Sequence, residues 1–409
     1  MLENIDDYLI ASFTPEKVIQ AYKNYKLAKW DHFSGLDDPG IKIPMGADGV
    51  KYEAFEKQIH RNVKNICQRV IEDRYTFYPF REREIEKEPV TPGKEKKYRT
   101  LSIASIRDVL VQTILYENVL YQPIESIFSP LDRIEPVSFA YRKGKSAPKA
   151  AEQLQEYILS GYHYVFDADL SKFFDTIPHD KLLKKLVTAI GGETSRAYKL
   201  VRRFISTDKV PYITYRNAMR KGRKIGAKIF YWRKPKREKR EKGVPQGGIL
   251  SGMLANLYLH EFDEWVLCTL GKQFDLKYVR YADDFVILTR SMVELPIIHE
   301  LVKAQLKEMK LDLNEDKTKD DVDIYQKGLD FVGFQFDGKF IRARERNIEK
   351  FKSRVLEILD KVPPDILQKN KPSKTLRYII RRINYKVSGR SGKETCPTCG
   401  YIRQSSPRS

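Results

Sequence analysis

The sequence predicts an α+β fold, and three patterns carry the prediction: helical spacing of apolar residues over 53–74, strand alternation at 162–170, and a strand–turn–strand hairpin at 278–289. In chain order, Phe55, Ile59, Val63, Ile66, Val70 and Ile71 recur at helix spacing, which makes EAFEKQIHRNVKNICQRVIEDR one amphipathic helix. EREIEKEPVTPGKEKKYRTLSIASIRD then reads as a charged hairpin with its turn at Pro92 and Gly93. A helical pattern runs from Ile106 to about Ile127, YHYVFDADL enters the core as a strand, and 180–206 is helical again. GVPQGGILSGMLANLYLHEFDEWV opens as a Gly-rich turn and continues as an apolar helix from about Ser251 to Leu267. YVRYADDFVILT gives the hairpin, followed by a helix over 293–309, a turn at LNEDKTK and an apolar strand, LDFVGFQF. From Arg344 the chain is basic and mainly helical, ending in a Ser, Gly and Pro-containing tail expected to be mobile.

At 409 residues and 41% hydrophobic content the chain can bury the cores of two or three subdomains. A formal net charge of +20 points to a polyanionic partner, nucleic acid foremost, because each neutralised phosphate releases counterions. Residues 220–242 carry twelve Lys or Arg against two Glu, half of that net charge, and read as a solvated loop or as an arm that tracks a phosphate backbone. No run approaches the roughly 18 apolar residues of a membrane span. The acidic N-terminus MLENIDDYLIASF does not read as a secretory signal, and the lone Cys67 and Cys268 fit a reducing compartment, so a cytoplasmic location is expected.

The chemistry centres on VRYADDFVIL, where Asp283 and Asp284 stand between apolar strand segments. Two like charges at a hairpin tip repel unless a cation sits there, and oxygen-only ligands suit Mg²⁺, although Asp is also a common turn former. Asp169 in VFDADLSKFF stands at the end of another apolar strand. Three such carboxylates could hold two Mg²⁺ ions roughly 3.5–4 Å apart, the spacing used for in-line phosphoryl transfer.

YADD at 281–284 resembles the palm signature of reverse transcriptases, and accompanying blocks stand in order around it. FDADLSKFFDTIPHDKLL (166–183) resembles the first metal-aspartate block, GVPQGGILSGMLANLYLHEFD (243–263) the Pro-Gln-Gly block, and LNEDKTK and LDFVGFQF two later palm blocks. GADGVKYEAFEK, KKYRTLSIASIRDVLVQ and SFAYRKGKSAPKA are similar to N-terminal blocks of bacterial group II intron-type enzymes, so the resemblance covers roughly residues 35–345. It implies a right-hand polymerase: a segment and fingers at 1–160, an antiparallel palm sheet flanked by helices at 161–343 and containing the 220–242 insertion, a short helical thumb at 344–390, and a flexible tail at 391–409.

The resemblance makes Asp169, Asp283 and Asp284 the catalytic metal-binding set for two Mg²⁺ ions, with the Ala168 carbonyl or a neighbouring one as an extra ligand. Asp167 competes with Asp169, but DLSKFF matches the family's pattern of Asp followed by an apolar residue and, after two more, two aromatics. Phe174 falls where the family keeps an aromatic under the nucleotide sugar, which would exclude a 2′-hydroxyl; its plain alternative is a core ring beside Phe173. Arg99 matches a fingers arginine that contacts the triphosphate. Gln246 lies near nucleotide and template in the family, and Lys317 would protonate departing pyrophosphate or else be a surface lysine. Tyr281 and Phe331 to Phe334 are expected either beside the primer terminus or in the core.

Implied partners are an RNA template, a DNA primer or product and dNTPs, with oligomerisation open and no membrane. The short thumb and missing nuclease point to an enzyme dedicated to its own structured noncoding RNA, in the manner of retroelement-derived enzymes of antiphage defence; an intron-mobility protein or maturase and an RNA-binding scaffold are the alternatives. In the basic insertion Tyr231 and Trp232 are available to stack on unpaired bases. CPTCG supplies Cys396 and Cys399, half the ligands of a zinc site, and no histidine follows His299 to complete it.

Overall fold

Helices open the chain: α1 (Ile5–Ser12), capped by an Asn4 side chain that accepts the Asp6 amide at 3.0 Å, and α2 (Pro15–Ala28). The computed structural model describes residues 4–31, 40–41, 43–86, 98–211 and 236–360. The chain divides into two compact units, residues 1–22 with 44–342 and residues 23–43 with 343–409. The predicted helix over 53–74 is two, Tyr52–Lys57 and α3 (Ile59–Ile71), because Gln58 leaves helical geometry at φ −126° and ψ 32°. At the break the Phe55 carbonyl accepts both the Gln58 amide at 3.3 Å and the Asn62 side-chain amide at 3.0 Å.

β1 (Phe80–Glu86) and β2 (Tyr98–Ile103) pair antiparallel as predicted, Arg81 opposite Ile103, while the Pro92–Gly93 turn lies outside the described residues. The long helix expected after them is α4 (Ile106–Ile114), a π-helical stretch at Leu115–Leu120, and α5 (Tyr121–Ile134). α6 (Ala147–Leu159) leads into β3 (Tyr164–Asp169). The helical segment at 180–206 is split into α7 (His179–Ile190) and α8 (Arg196–Ile205) by Gly191, whose φ of 80° ends α7 in a left-handed cap. β4 (Lys209–Pro211) runs parallel to β1.

Of the basic insertion, 220–235 lies outside the described residues, and its end is stitched to the β1–β2 sheet. Lys209 and Glu238 exchange backbone hydrogen bonds of 2.9 Å, and the buried Arg240 pairs with Glu82 at 3.1 Å. These anchors fix Glu238 and Arg240, while the other side chains of 236–242 are exposed.

Further along the first unit come α9 (Ser251–Cys268), β5 (Leu276–Tyr281), β6 (Asp284–Thr289), α10 (Leu295–Glu308), β7 (Lys319–Asp323), β8 (Leu329–Phe331) and β9 (Phe334–Phe336). A fully antiparallel sheet forms in the order β5–β6–β3–β7. Strand alternation sends Val165, Val279, Val286, Leu288 and Val322 to one face, where they pack with Leu154, Tyr157 and Ile158 of α6. On the other face Phe285 meets Phe262 of α9 at 5.3 Å between ring centroids, and Phe166 meets His299 of α10 at 5.2 Å. Each such fully buried apolar side chain contributes about 1.5–3 kcal/mol, which makes the sheet a rigid base for the residues at its end. α9 is apolar nearly all round and buried from Ser251 to His260, as expected of a central helix.

LDFVGFQF is a hairpin rather than the single strand predicted. Val332 and Gly333 both take positive φ, 43° and 88°, which turns the chain between Phe331 and Phe334. Phe331 belongs to the core cluster, and Val332, Phe334 and Tyr281 pack against it. In the second unit, α11 (Glu345–Asp360) occupies the start of the expected thumb; 361–409, with Cys396 and Cys399, lies outside the described residues.

Candidate active site

The pairing of β3 with β6 sets Asp169 directly opposite Asp284. Cross-strand partners share a face, so both carboxylates project on the α6 side of the sheet at its open end. Asp167, the competing candidate, faces Val286 and Lys319 further down the strand. Ala168 sits opposite Phe285 with its side chain buried on the α9 face. Because the Leu170 amide donates to the Asp283 carbonyl at 3.3 Å, ladder alternation makes Ala168 and Phe285 the next hydrogen-bonded pair, so the Ala168 carbonyl is turned to the Phe285 amide.

Asp283 and Asp284 do not both occupy the hairpin tip. Ala282 and Asp283 form the two-residue turn, and Asp284 is the first residue of β6. Ala282 adopts φ 61°, which a side chain resists, so neighbours must hold it. The buried Arg280 does so: it donates to the Ala282 carbonyl at 3.0 Å, to Asp263 of α9 at 2.7 and 2.5 Å, to Asn256 at 2.9 Å and to Ser138 at 2.9 Å. Tyr278 completes the shell of Asp263 with a hydrogen bond of 2.9 Å.

Electrostatics mark the same end of the sheet. Asp169 accepts the Asn314 side-chain amide at 3.0 Å and the Lys317 ammonium. Burial, repulsion by Asp283 and Asp169, and a hydrogen bond shared with Asp169 push the Asp284 carboxyl up to about 7, although its side chain remains open to solvent at the site's mouth. Burial opposes the Lys317 charge, but the Asp169 hydrogen bond and the three carboxylates override it and raise the ammonium above its usual range. Among the described residues no three His, Cys, Asp or Glu side chains close into an ion cage. An open row of carboxylates suits a cation such as Mg²⁺, which takes one or two protein carboxylates and completes its shell with water and substrate phosphates.

Beside the carboxylates lies a pocket of about 580 Å³ lined by Tyr141, Phe174, Gly247, Gly248, Ser251 and Gly252 among others. Phe174 is half-buried and meets Tyr141 edge-to-face, ring centroids 6.2 Å apart, and Phe173 at 5.7 Å. Gln246 donates its side-chain amide to Asp175 at 3.2 Å and accepts the Ser102 amide on its carbonyl at 2.7 Å, which ties its turn to β2. Gly247 takes φ 110°, and a Cβ there would lie 2.8 Å from the Leu101 side chain. Arg99 is exposed on β2 opposite Ile85. Sequence reading missed Asn314, Arg280 with Asp263, and Tyr141; Asn314 had a signal, standing three residues before Lys317 in LNEDKTK.

Residues 85–336 match the family model described as "Reverse transcriptase (RNA-dependent DNA polymerase)". The chain belongs to this reverse transcriptase family. Its α+β architecture is accordingly the right-hand polymerase fold, and members of the family use divalent metal ions. The chain is similar to the group II intron-encoded protein LtrA of Lactococcus lactis subsp. cremoris, 27% identical over 384 residues that cover 77% of this chain and 55% of LtrA. It is 26% identical over 346 residues to protein YkfC of Escherichia coli K12, covering 76% of this chain and 79% of that one. An uncharacterised 91 kDa protein in the cob intron of Schizosaccharomyces pombe is 30% identical over 247 residues, 59% of this chain and 24% of its own length. The chain thus spans about half of LtrA and a quarter of the yeast protein. Among the described residues no helix is long and apolar enough to cross a membrane.

Proposed function

We propose that this reverse transcriptase is an RNA-directed DNA polymerase that extends a primer on a structured RNA, with Asp169, Asp283 and Asp284 holding two Mg²⁺ ions. The observation that carries the reading is the Asp169–Asp284 pair across the sheet, with Asp283 in a tethered turn, beside a pocket walled by Phe174. When bound, divalent cations would lower the pKa of the attacking hydroxyl and neutralise the triphosphate. The protein's own residues position and select. Asn314 and Lys317 orient Asp169, and the Lys317 ammonium supplies a proton to departing pyrophosphate. Arg99 contacts the triphosphate, Gln246 the nucleotide and template strand, and Phe174 leaves no room for a 2′-hydroxyl.

Likeness to an intron-encoded protein supports an intron-type role for the RNA partner over an antiphage role. The basic run 220–242 is assigned to that RNA, and deleting 220–235 should weaken binding of the cognate RNA more than extension of a generic primer.

The test is primed poly(rA) with labelled dTTP or UTP in Mg²⁺, beside an Asp283→Ala, Asp284→Ala double variant. Incorporation of dTTP by the native protein alone is expected. No dTTP incorporation, or equal incorporation by the variant, would sink the reading.

A further inference from the structure

We propose that Tyr141 is a specificity-determining residue of the polymerase pocket, setting its width and holding Phe174 in place, so that the two rings together select deoxyribonucleotides over ribonucleotides. The inference rests on the polymerase reading above and adds a residue to it.

Tyr141 has φ 57°, a left-handed conformation that is an outlier for a bulky side chain. The structure around it over-determines that conformation. Arg142, next in the chain, is buried and held by Glu125, by Asp132 and by the Ser138 carbonyl at 3.1 Å. On the other side, Asn256 of α9 donates to the Ala140 carbonyl at 2.7 Å. Strain maintained in this way concentrates where a side chain must point somewhere a relaxed backbone would not send it.

The ring it directs lies on Gly252, in the first turn of α9, where a Cβ would come within 2.4 Å of Tyr141 Cγ. Only glycine, with no Cβ, lets the ring approach the helix this closely. Tyr141 then meets Phe174 edge-to-face, and both line the same pocket. Yet 51% of Tyr141 remains exposed, and among the described residues its hydroxyl has no hydrogen-bond partner. A ring held by strain, backed by glycine and left bare on its pocket side is placed for a ligand rather than for the core. Without it, Phe174 keeps Phe173 but loses its aromatic neighbour in the pocket, and the space denied to a 2′-hydroxyl opens.

Single-nucleotide incorporation on a primed RNA template, with dTTP and with UTP, tests this in the native protein, Tyr141→Ala, Tyr141→Phe, Gly252→Ala and the Gly252→Ala, Tyr141→Ala double variant. Tyr141→Ala should lower the dTTP-to-UTP ratio of kcat/KM by about tenfold or more, and Tyr141→Phe, which keeps the ring, by less than about threefold. Gly252→Ala should raise the KM for dTTP about tenfold in the native background and add nothing once the ring is gone, as expected of two residues coupled through one contact. Melting temperatures of every variant monitor folding; if Tyr141→Ala does not fold, Gly252→Ala in the native background decides the matter, and an unchanged KM for dTTP there overturns the proposal. Native selectivity in Tyr141→Ala, or an equal Gly252→Ala loss in both backgrounds, overturns the proposal while leaving the polymerase reading standing. No templated dTTP incorporation by the native protein overturns both.

Discussion

Replacing Arg280 with methionine separates the stability of the fold from the geometry of the carboxylate turn. Arg280 is 1% exposed and Asp263 2%, so the pair lies in the dry core between β5 and α9. Methionine keeps the approximate volume but withdraws the donors to Asn256, Ser138, Asp263 and the Ala282 carbonyl. Asp263 is left with the Tyr278 hydroxyl as its partner. Breaking one side of a buried ion pair costs about 3–5 kcal/mol, a large part of the roughly 5–15 kcal/mol that holds a domain folded. Arg280→Met should therefore lower the urea midpoint strongly. Adding Asp263→Leu removes the orphaned charge and should return the unfolding free energy to within about 1–2 kcal/mol of native, because apolar replacements of buried pairs are often neutral. Primer extension should stay low in that double variant, since Ala282 at φ 61° still lacks its tether. Recovery of extension together with stability would refute the reasoning and reduce Arg280 to a counter-charge. So would a cost below about 1 kcal/mol for the single variant.

Other outcomes follow from the same end of the sheet. Asp284 titrates near 7 in the folded chain against 3.8 for a free aspartate, so between these values the folded state holds the extra proton and its stability falls as pH rises. In EDTA the melting temperature should drop from pH 5 to pH 8, Mg²⁺ should restore it above pH 7, and Asp284→Asn should remove the slope; a slope unchanged in that variant refutes the assignment. Lys317→Met should slow extension by about 10²–10⁴-fold if the ammonium donates a proton, and Lys317→Arg, too weak an acid, should stay slow; full rescue by arginine would show that charge alone suffices. Gly247→Ala places a Cβ 2.8 Å from Leu101 Cδ1 and 3.0 Å from the Ser102 carbonyl at a φ of 110°, so thermal unfolding should detect a loss above about 1 kcal/mol. An unchanged melting temperature would mean that the turn yields.

Local patterns survive into the structure where they are dictated by neighbours in sequence. β1 with β2, α9 and the β5–β6 hairpin stand close to where periodicity predicts them. The misreadings are equally local in cause. Two left-handed residues, Val332 and Gly333, fold one apolar run into a hairpin, and Gln58 and Gly191 each cut a helix whose apolar spacing alone carries on through the break. Apolar periodicity reports burial, and burial does not change when a chain turns without leaving the core.

The sequence by itself determined the family, because residue type and block order are written along the chain, and it pointed to three aspartates and an aromatic at 174 as parts of one site. It could not decide which carboxylates meet. Asp169 and Asp284 lie more than a hundred residues apart in sequence and become partners through the register of β3 on β6. Nor could it reveal what holds the turn or bounds the pocket. The Arg280–Asp263 tether, the Asn314 and Lys317 contacts to Asp169 and the Tyr141 ring over Gly252 each join residues from separate elements. Such contacts depend on how helices pack on a sheet, and packing has no period that a linear reading can follow.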